Sequence, residues 1–170
     1  ALVMLSAAGL ERLEKTESSS FSCDLRKWWD IMEAYENGGH AYHATMPTDS
    51  LRRFRDIMKE TEEYGFEKVR AEQQELGDKV RAMLVAKGIK SVAGDGFQAP
   101  GVVVSYTDDK GIQTGKKFAE LGFQIAAGVP LQCDEPEDYQ SFRLGLFGLD
   151  KLHNIGRTVE KLEKALAAIL

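Results

Sequence analysis

Two short stretches of the chain concentrate side chains able to do chemistry. "YQSFRLGLFGLD", residues 139–150, sets Arg143 in an apolar run between Phe142 and Leu144, beside Gly145. A guanidinium keeps its charge at physiological pH, so placing it among apolar residues calls for an anion nearby. With strand alternation, Phe142, Leu144 and Leu146 share one face while Arg143, Gly145 and Phe147 share the other. Gly145 keeps that second face open for a small ligand, and the planar guanidinium fork suits bidentate carboxylate recognition. An ion pair with one of the 27 acids would satisfy Arg143 equally well. Local chemistry leaves these two partners open.

The second stretch is "YHATMP", residues 42–47. The Tyr42 phenol, the His43 imidazole and the Thr45 hydroxyl lie close enough in sequence to meet one phosphate or carboxylate. The plainer alternative, which local physics favours, is a loop capping the helix that starts at Thr48 or Asp49, with Tyr42 packed on the core.

Other signatures are missing. No glycine-rich phosphate loop precedes a helix, and the H-E-x-x-H, C-x-x-C and G-x-S-x-G patterns do not occur. His40 and His43 sit three residues apart in a loop without a third ligand, so no metal site is expected. His153 reads as a solvated helix residue. "GDGFQAPGVVVSYT", residues 94–107, reads as a turn before a strand, and Trp28 and Trp29 as packing residues or a subunit contact.

The elements that must position these residues follow from periodicity. Residues 2–5 read as a short buried strand, Ser6 caps a helix over 7–15, and Asp24 opens a helix to about Tyr35 that Asn37-Gly38-Gly39 stops. Leu51, Phe54, Ile57 and Met58 line one face of the next helix. A long helix over about 66–86 buries Phe66, Val69, Leu76, Val80, Met83 and Leu84 and closes at Gly88. "IKSVA", "GVVVSYT" and "FRLGLFG" read as strands, "FQIAAGVP" as a strand or extended segment, and 110–121 as a short helix. A last helix from about Asp150 to Ile169 carries Leu152, Ile155, Val159, Leu162, Leu166 and Ile169 at helical spacing. This order predicts an α+β domain, a small and mainly antiparallel sheet covered on one face by helices, with residues 1–47 as a separate piece.

Composition fits a globular protein of 170 residues, with 43% hydrophobic and 29% charged residues. A net charge of −5, with both signs interleaved, gives no footprint for nucleic acid or an anionic membrane. Cys23 and Cys133 are too few and too distant for a disulfide framework, which points to a reducing cytoplasm. Opening on Ala1-Leu2-Val3-Met4-Leu5, an apparent core element, suggests a fragment of a longer protein.

"AYHATMP" and "FRLGLFGLDKL", about a hundred residues apart, together resemble the C-terminal half of the class V, fold-type I aminotransferases that use pyridoxal 5′-phosphate. The likeness is greatest to the alanine–glyoxylate and serine–pyruvate branch and covers essentially the whole chain, with "ALVMLSAAGLER" similar to the strand and helix after the cofactor lysine. The resemblance implies that 1–47 is the tail of the large cofactor-binding domain and 48–170 the small domain. It implies that the Tyr42 and Thr45 hydroxyls bind the cofactor phosphate of the neighbouring subunit in a homodimer, although Ala44 stands where the family often has a second histidine. It also implies that Arg143 holds the substrate α-carboxylate, which sets the Cα bond to be broken. The substrates would be a small amino acid and a 2-oxo acid such as pyruvate or glyoxylate. No lysine here matches the context of the family's cofactor lysine, so no catalytic residue is expected in this chain and no turnover from it alone. A lyase of the same fold, and a stand-alone carboxylate-binding or dimerisation module, remain the alternatives.

Overall fold

The computed structural model describes residues 2–170. Two compact units divide the chain, the first ending at Arg53 and the second comprising Phe54–Leu170.

The first unit is helical. The Ser6 hydroxyl accepts from Gly9 N–H and starts α1 (Ala7–Glu14), and the Asp24 carboxylate accepts from Lys27 N–H and starts α2 (Leu25–Glu36). These are the side-chain caps that leave fewer helix-terminal N–H groups unpaired. The strand expected over 2–5 is not formed. Leu2, Val3 and Met4 are 70%, 56% and 91% exposed, and no neighbouring strand supplies the hydrogen bonds an extended segment needs. Ala1, the first residue of the apparent core element, lies outside the described residues. The boundary between the units falls inside α3 (Thr48–Tyr64).

The second unit is an α+β layer pair. Gly65 separates α3 from α4 (Phe66–Ala86), which ends where Gly88 takes a φ of +78°. Three strands follow: β1 (Val102–Tyr106), β2 (Ala126–Ala127) and β3 (Ser141–Gly145), in the antiparallel order β1-β3-β2. Val103 pairs with Leu144 and Ser105 with Phe142, which puts these four on one face. That face packs with Leu76, Val80 and Leu84 of α4, and with Leu162 and Leu166 of α8 (Ile155–Ile169), in one apolar core. Helices covering one face of a small antiparallel sheet are the expected architecture, and burial of both apolar faces drives it.

Several elements differ from expectation for local reasons. The helix over 110–121 divides into α5 (Lys110–Gln113) and α6 (Lys116–Glu120) at Gly115, whose φ is +78°. The last helix divides into α7 (Leu149–Leu152) and α8, because Asn154 leaves helical geometry and accepts Arg157 N–H as a cap. "IKSVA" contributes only a bridge from Ser91 to Ser105, flanked by backbone bonds from Tyr106 N–H to the Lys90 carbonyl and from Val92 N–H to the Val104 carbonyl. Phe66 stays 63% exposed at the start of α4, outside the stripe formed by Leu76, Val80, Met83 and Leu84. Leu51, Phe54, Ile57 and Met58 likewise remain 38% to 54% exposed along α3.

Candidate functional site

Arg143 occupies the middle of the central strand. It stands opposite Val104 on one side and Ala126 on the other. Its face of the sheet also carries Val102, Tyr106, Ser141 and Gly145, by register. On this face, away from the apolar core, Arg143, Val102 and Val104 are half-buried, Tyr106 and Gly145 are exposed, and Ser141 is buried. The expected partition of side chains is the observed one: Phe142, Leu144 and Leu146 are buried, whereas Phe147 is 63% exposed.

The guanidinium makes one protein hydrogen bond, from Nε–H to the Ala127 carbonyl at 2.9 Å. Among the described residues it makes no ion pair, and Nη1 and Nη2 donate to no protein acceptor. Of the two partners that local chemistry left open, an internal acid is therefore not the one present. Tyr106 and Tyr139 meet edge-on at 5.7 Å further along the sheet. A cleft of about 830 Å³ lies beside them, walled by Tyr106, Asp109, Leu131, Tyr139 and Phe142, but it does not include Arg143.

Tyr42 and Thr45 belong to the first unit. Their hydroxyl oxygens are 3.4 Å apart and both residues are exposed, with Tyr42 at 79%. Tyr42 is thus not packed on the core, contrary to the plainer expectation for this loop. The residue that holds the loop is His43, whose Nε2 donates to the Phe21 carbonyl at 2.9 Å. The imidazole lies 4.3 Å from the Phe21 ring and 5.2 Å from Trp28, and Trp28 in turn donates its indole N–H to the Ser22 carbonyl. His43 anchors the loop and leaves the two hydroxyls turned to solvent. The spacing of "YHATMP" carried no sign of this division of labour, because Phe21 is distant in sequence.

Arg81 is another cation that sequence reasoning passed over. Its Nη2 donates to the carbonyls of Ala99 and Val102 at 2.6 and 3.1 Å, while Nε and Nη1 are buried without partners. Burial lowers its pKa from the ordinary arginine value. It fastens the turn before β1 to α4. Cys23 and Cys133 are free and exposed, and no helix among the described residues is long and apolar enough to cross a membrane.

No protein-family model matches the sequence, and no curated protein does. Solved structures do match. The chain is similar to the alanine–glyoxylate aminotransferase of Nostoc sp., with a TM-score of 0.70 and 15% identity, over 95% of this chain and 42% of that one. It is also similar to the ureidoglycine–glyoxylate aminotransferase of Bacillus subtilis, with a TM-score of 0.60 and 20% identity, over 95% of this chain and 40% of that one. The chain therefore has the fold of a portion of these two aminotransferase structures, in line with the fold the sequence resemblance implied. The chain spans about two fifths of the length of these structures.

Proposed function

We propose that the chain is the part of a pyridoxal 5′-phosphate-dependent aminotransferase that receives and orients the substrate. In this reading residues 1–47 are the tail of the large domain and residues 48–170 the C-terminal small domain. The observation that carries the proposal is Arg143, a half-buried cationic fork on the sheet face away from the apolar core with both terminal nitrogens unpaired. Such a fork accepts a carboxylate through two parallel charge-assisted hydrogen bonds. The reaction would move an amino group between a small amino acid and a 2-oxo acid such as pyruvate or glyoxylate, in a cytoplasmic homodimer.

The residues present fit the cofactor in one respect. Two exposed hydroxyls, 3.4 Å apart on a loop anchored by His43, form a donor pair suited to a phosphate. Tyr42 and Thr45 would hold that phosphate in the neighbouring subunit. When bound, pyridoxal phosphate supplies an electron sink for the substrate Cα. Arg143 contributes orientation: a carboxylate fixed at its fork determines which Cα bond is aligned for cleavage. Closure of the small domain would then exclude water from the bound substrate. The lysine that anchors the cofactor belongs, in this reading, to the part of the fold that these residues do not span. The isolated chain is accordingly expected not to turn over.

The test uses the full-length protein that contains this chain, assayed for amino transfer to glyoxylate and pyruvate. Arg143→Ala is expected to raise the amino-acid KM by about 100-fold or more, the scale of two charge-assisted hydrogen bonds, while cofactor content is retained. Parallel loss of cofactor would make Arg143 structural and overturn the assignment. Carboxylate binding at Arg143 without any transfer would identify a binding module instead. Borohydride reduction that fixes the cofactor on one lysine of the isolated chain would overturn the placement of the anchoring lysine.

A further inference from the structure

We infer that Gly128 is a positioning residue for the Arg143 fork, acting through the Ala127 carbonyl. This inference rests on the proposed carboxylate-binding role of Arg143. Ala126 and Ala127 pair with Arg143 and Phe142, so β2 runs directly beside the arginine. The next residue, Gly128, passes so close to Ser141 that a Cβ would fall inside the Ser141 carbonyl group and against its hydroxyl. Ser141 is 1% exposed, with an Oγ that has no partner, so there is no slack beneath Gly128 for a side chain. The approach sets the spacing of β2 from β3 at the residue adjoining Ala127.

That spacing places the Ala127 oxygen 2.9 Å from Arg143 Nε. The guanidinium is planar, so a hydrogen bond at Nε fixes the direction of the Nη1/Nη2 edge as well. It also occupies one donor of the side-on Nε/Nη edge. A carboxylate is therefore received end-on, by Nη1 and Nη2, and the arginine loses little rotamer freedom when it binds. Preorganisation of this kind acts on affinity for the carboxylate rather than on the chemistry that follows.

A double-mutant cycle in the full-length, cofactor-loaded protein tests this. Gly128→Ala is expected to raise the amino-acid KM about tenfold, the scale of one lost hydrogen bond to a charged group, with kcat and cofactor content held within about twofold. In an Arg143→Ala background the same change is expected to have no further effect on KM. Replacement of Gly128 by glycolic acid adds no bulk but makes the Ala127 carbonyl an ester carbonyl, a weaker acceptor. It provides a variant that keeps the close approach should the alanine variant not fold, and a threefold or larger rise in KM is expected at about the same kcat. Binding of acetate or oxamate, followed by NMR titration, should weaken in step with KM in each variant. Additive effects of Gly128 and Arg143 changes would overturn the inference, as would loss of kcat with KM untouched. If Arg143→Ala leaves KM and oxamate binding unchanged, the reading of Arg143 itself fails. If Arg143→Ala weakens both while neither Gly128 variant does, only the role of Gly128 fails.

Discussion

The Nε2–H of His43 donates to the carbonyl oxygen of Phe21 at 2.9 Å, with the two rings 4.3 Å apart. One side chain thus ties the "YHATMP" loop to the turn before α2 by a hydrogen bond and by ring packing. His43→Leu keeps an apolar body in that place but leaves the Phe21 carbonyl without its donor. Stability of the first unit should fall by about 1 kcal/mol, the net worth of one such bond. Trp28, whose ring meets the imidazole edge-on at 5.2 Å, reports the event. Urea unfolding followed by tryptophan fluorescence should show an earlier midpoint, and an unchanged midpoint would mean that the loop is held by something else.

The Tyr42 and Thr45 hydroxyls carry a different expectation, because both side chains are exposed. Tyr42→Phe and Thr45→Val remove oxygens that water already solvates, so stability should change by no more than about 0.5 kcal/mol. Cofactor retention in the full-length protein should weaken by about tenfold for each change, if each hydroxyl donates to the phosphate. Dialysis against buffer, with absorbance of the retained cofactor, separates the two quantities. Loss of fold without loss of cofactor affinity would reverse the assignment.

Local signals were legible where one residue decides the outcome. Ser6 and Asp24 start their helices by capping, and Gly88 ends α4 in the left-handed region. The strand alternation around Arg143 was legible too, since period two puts Phe142 and Leu144 in the core and Arg143 outside it. What was hidden depends on contacts between distant segments. The bond from Arg143 to Ala127, the anchoring of His43 at Phe21 and the close approach of Gly128 to Ser141 leave no periodic trace. The expected strand over 2–5 failed for the complementary reason. Apolar composition marks a segment that tends to be buried, but a strand also needs a neighbour, and none pairs with residues 2–5 among those described.

Gly77 offers a test of packing that runs against helix propensity. A Cβ added there would lie 2.8 Å from the Pro100 carbonyl oxygen and 3.0 Å from Pro100 Cα, both backbone atoms. The same turn is bound from either side by Gln73, which donates to Pro100, and by Arg81, which donates to Ala99 and Val102. Alanine in mid-helix is ordinarily favoured over glycine by about 1 kcal/mol, whereas overpacking of this kind costs about 1–3 kcal/mol. The clash should win because three anchors prevent the turn from retreating. Gly77→Ala is expected to lower the thermal midpoint by several degrees, and a raised midpoint would show that the turn yields.

Acid should lower the stability of the second unit in part through two carboxylates. Glu135 is held at about 2, against an ordinary 4.5, because backbone N–H groups of Cys133 and Gln132 donate to its ionised form. Those bonds close a turn in which Gln132 and Asp134 have φ of 59° and 63°, conformations that side chains other than glycine rarely adopt. Asp109 is also lowered, first by Lys117 at 2.6 Å and then by the Ile112 amide, while Lys117 also donates to the Ile169 carbonyl. A pKa depressed by folding means that the folded state prefers the charged form. The Glu135 contribution is therefore complete above about 4.5, declines as pH falls, and is gone below about 2. The wild-type thermal midpoint should be flat near neutrality and drop across that acid range. Glu135→Gln should flatten part of the drop and speed amide exchange at Gln132 and Cys133 at neutral pH. Asp109→Asn should remove a separate part, with the loss felt where α5 and the end of α8 meet Lys117. Wild-type and Glu135→Gln midpoints that fall in parallel with acid would show that the turn is held by other means.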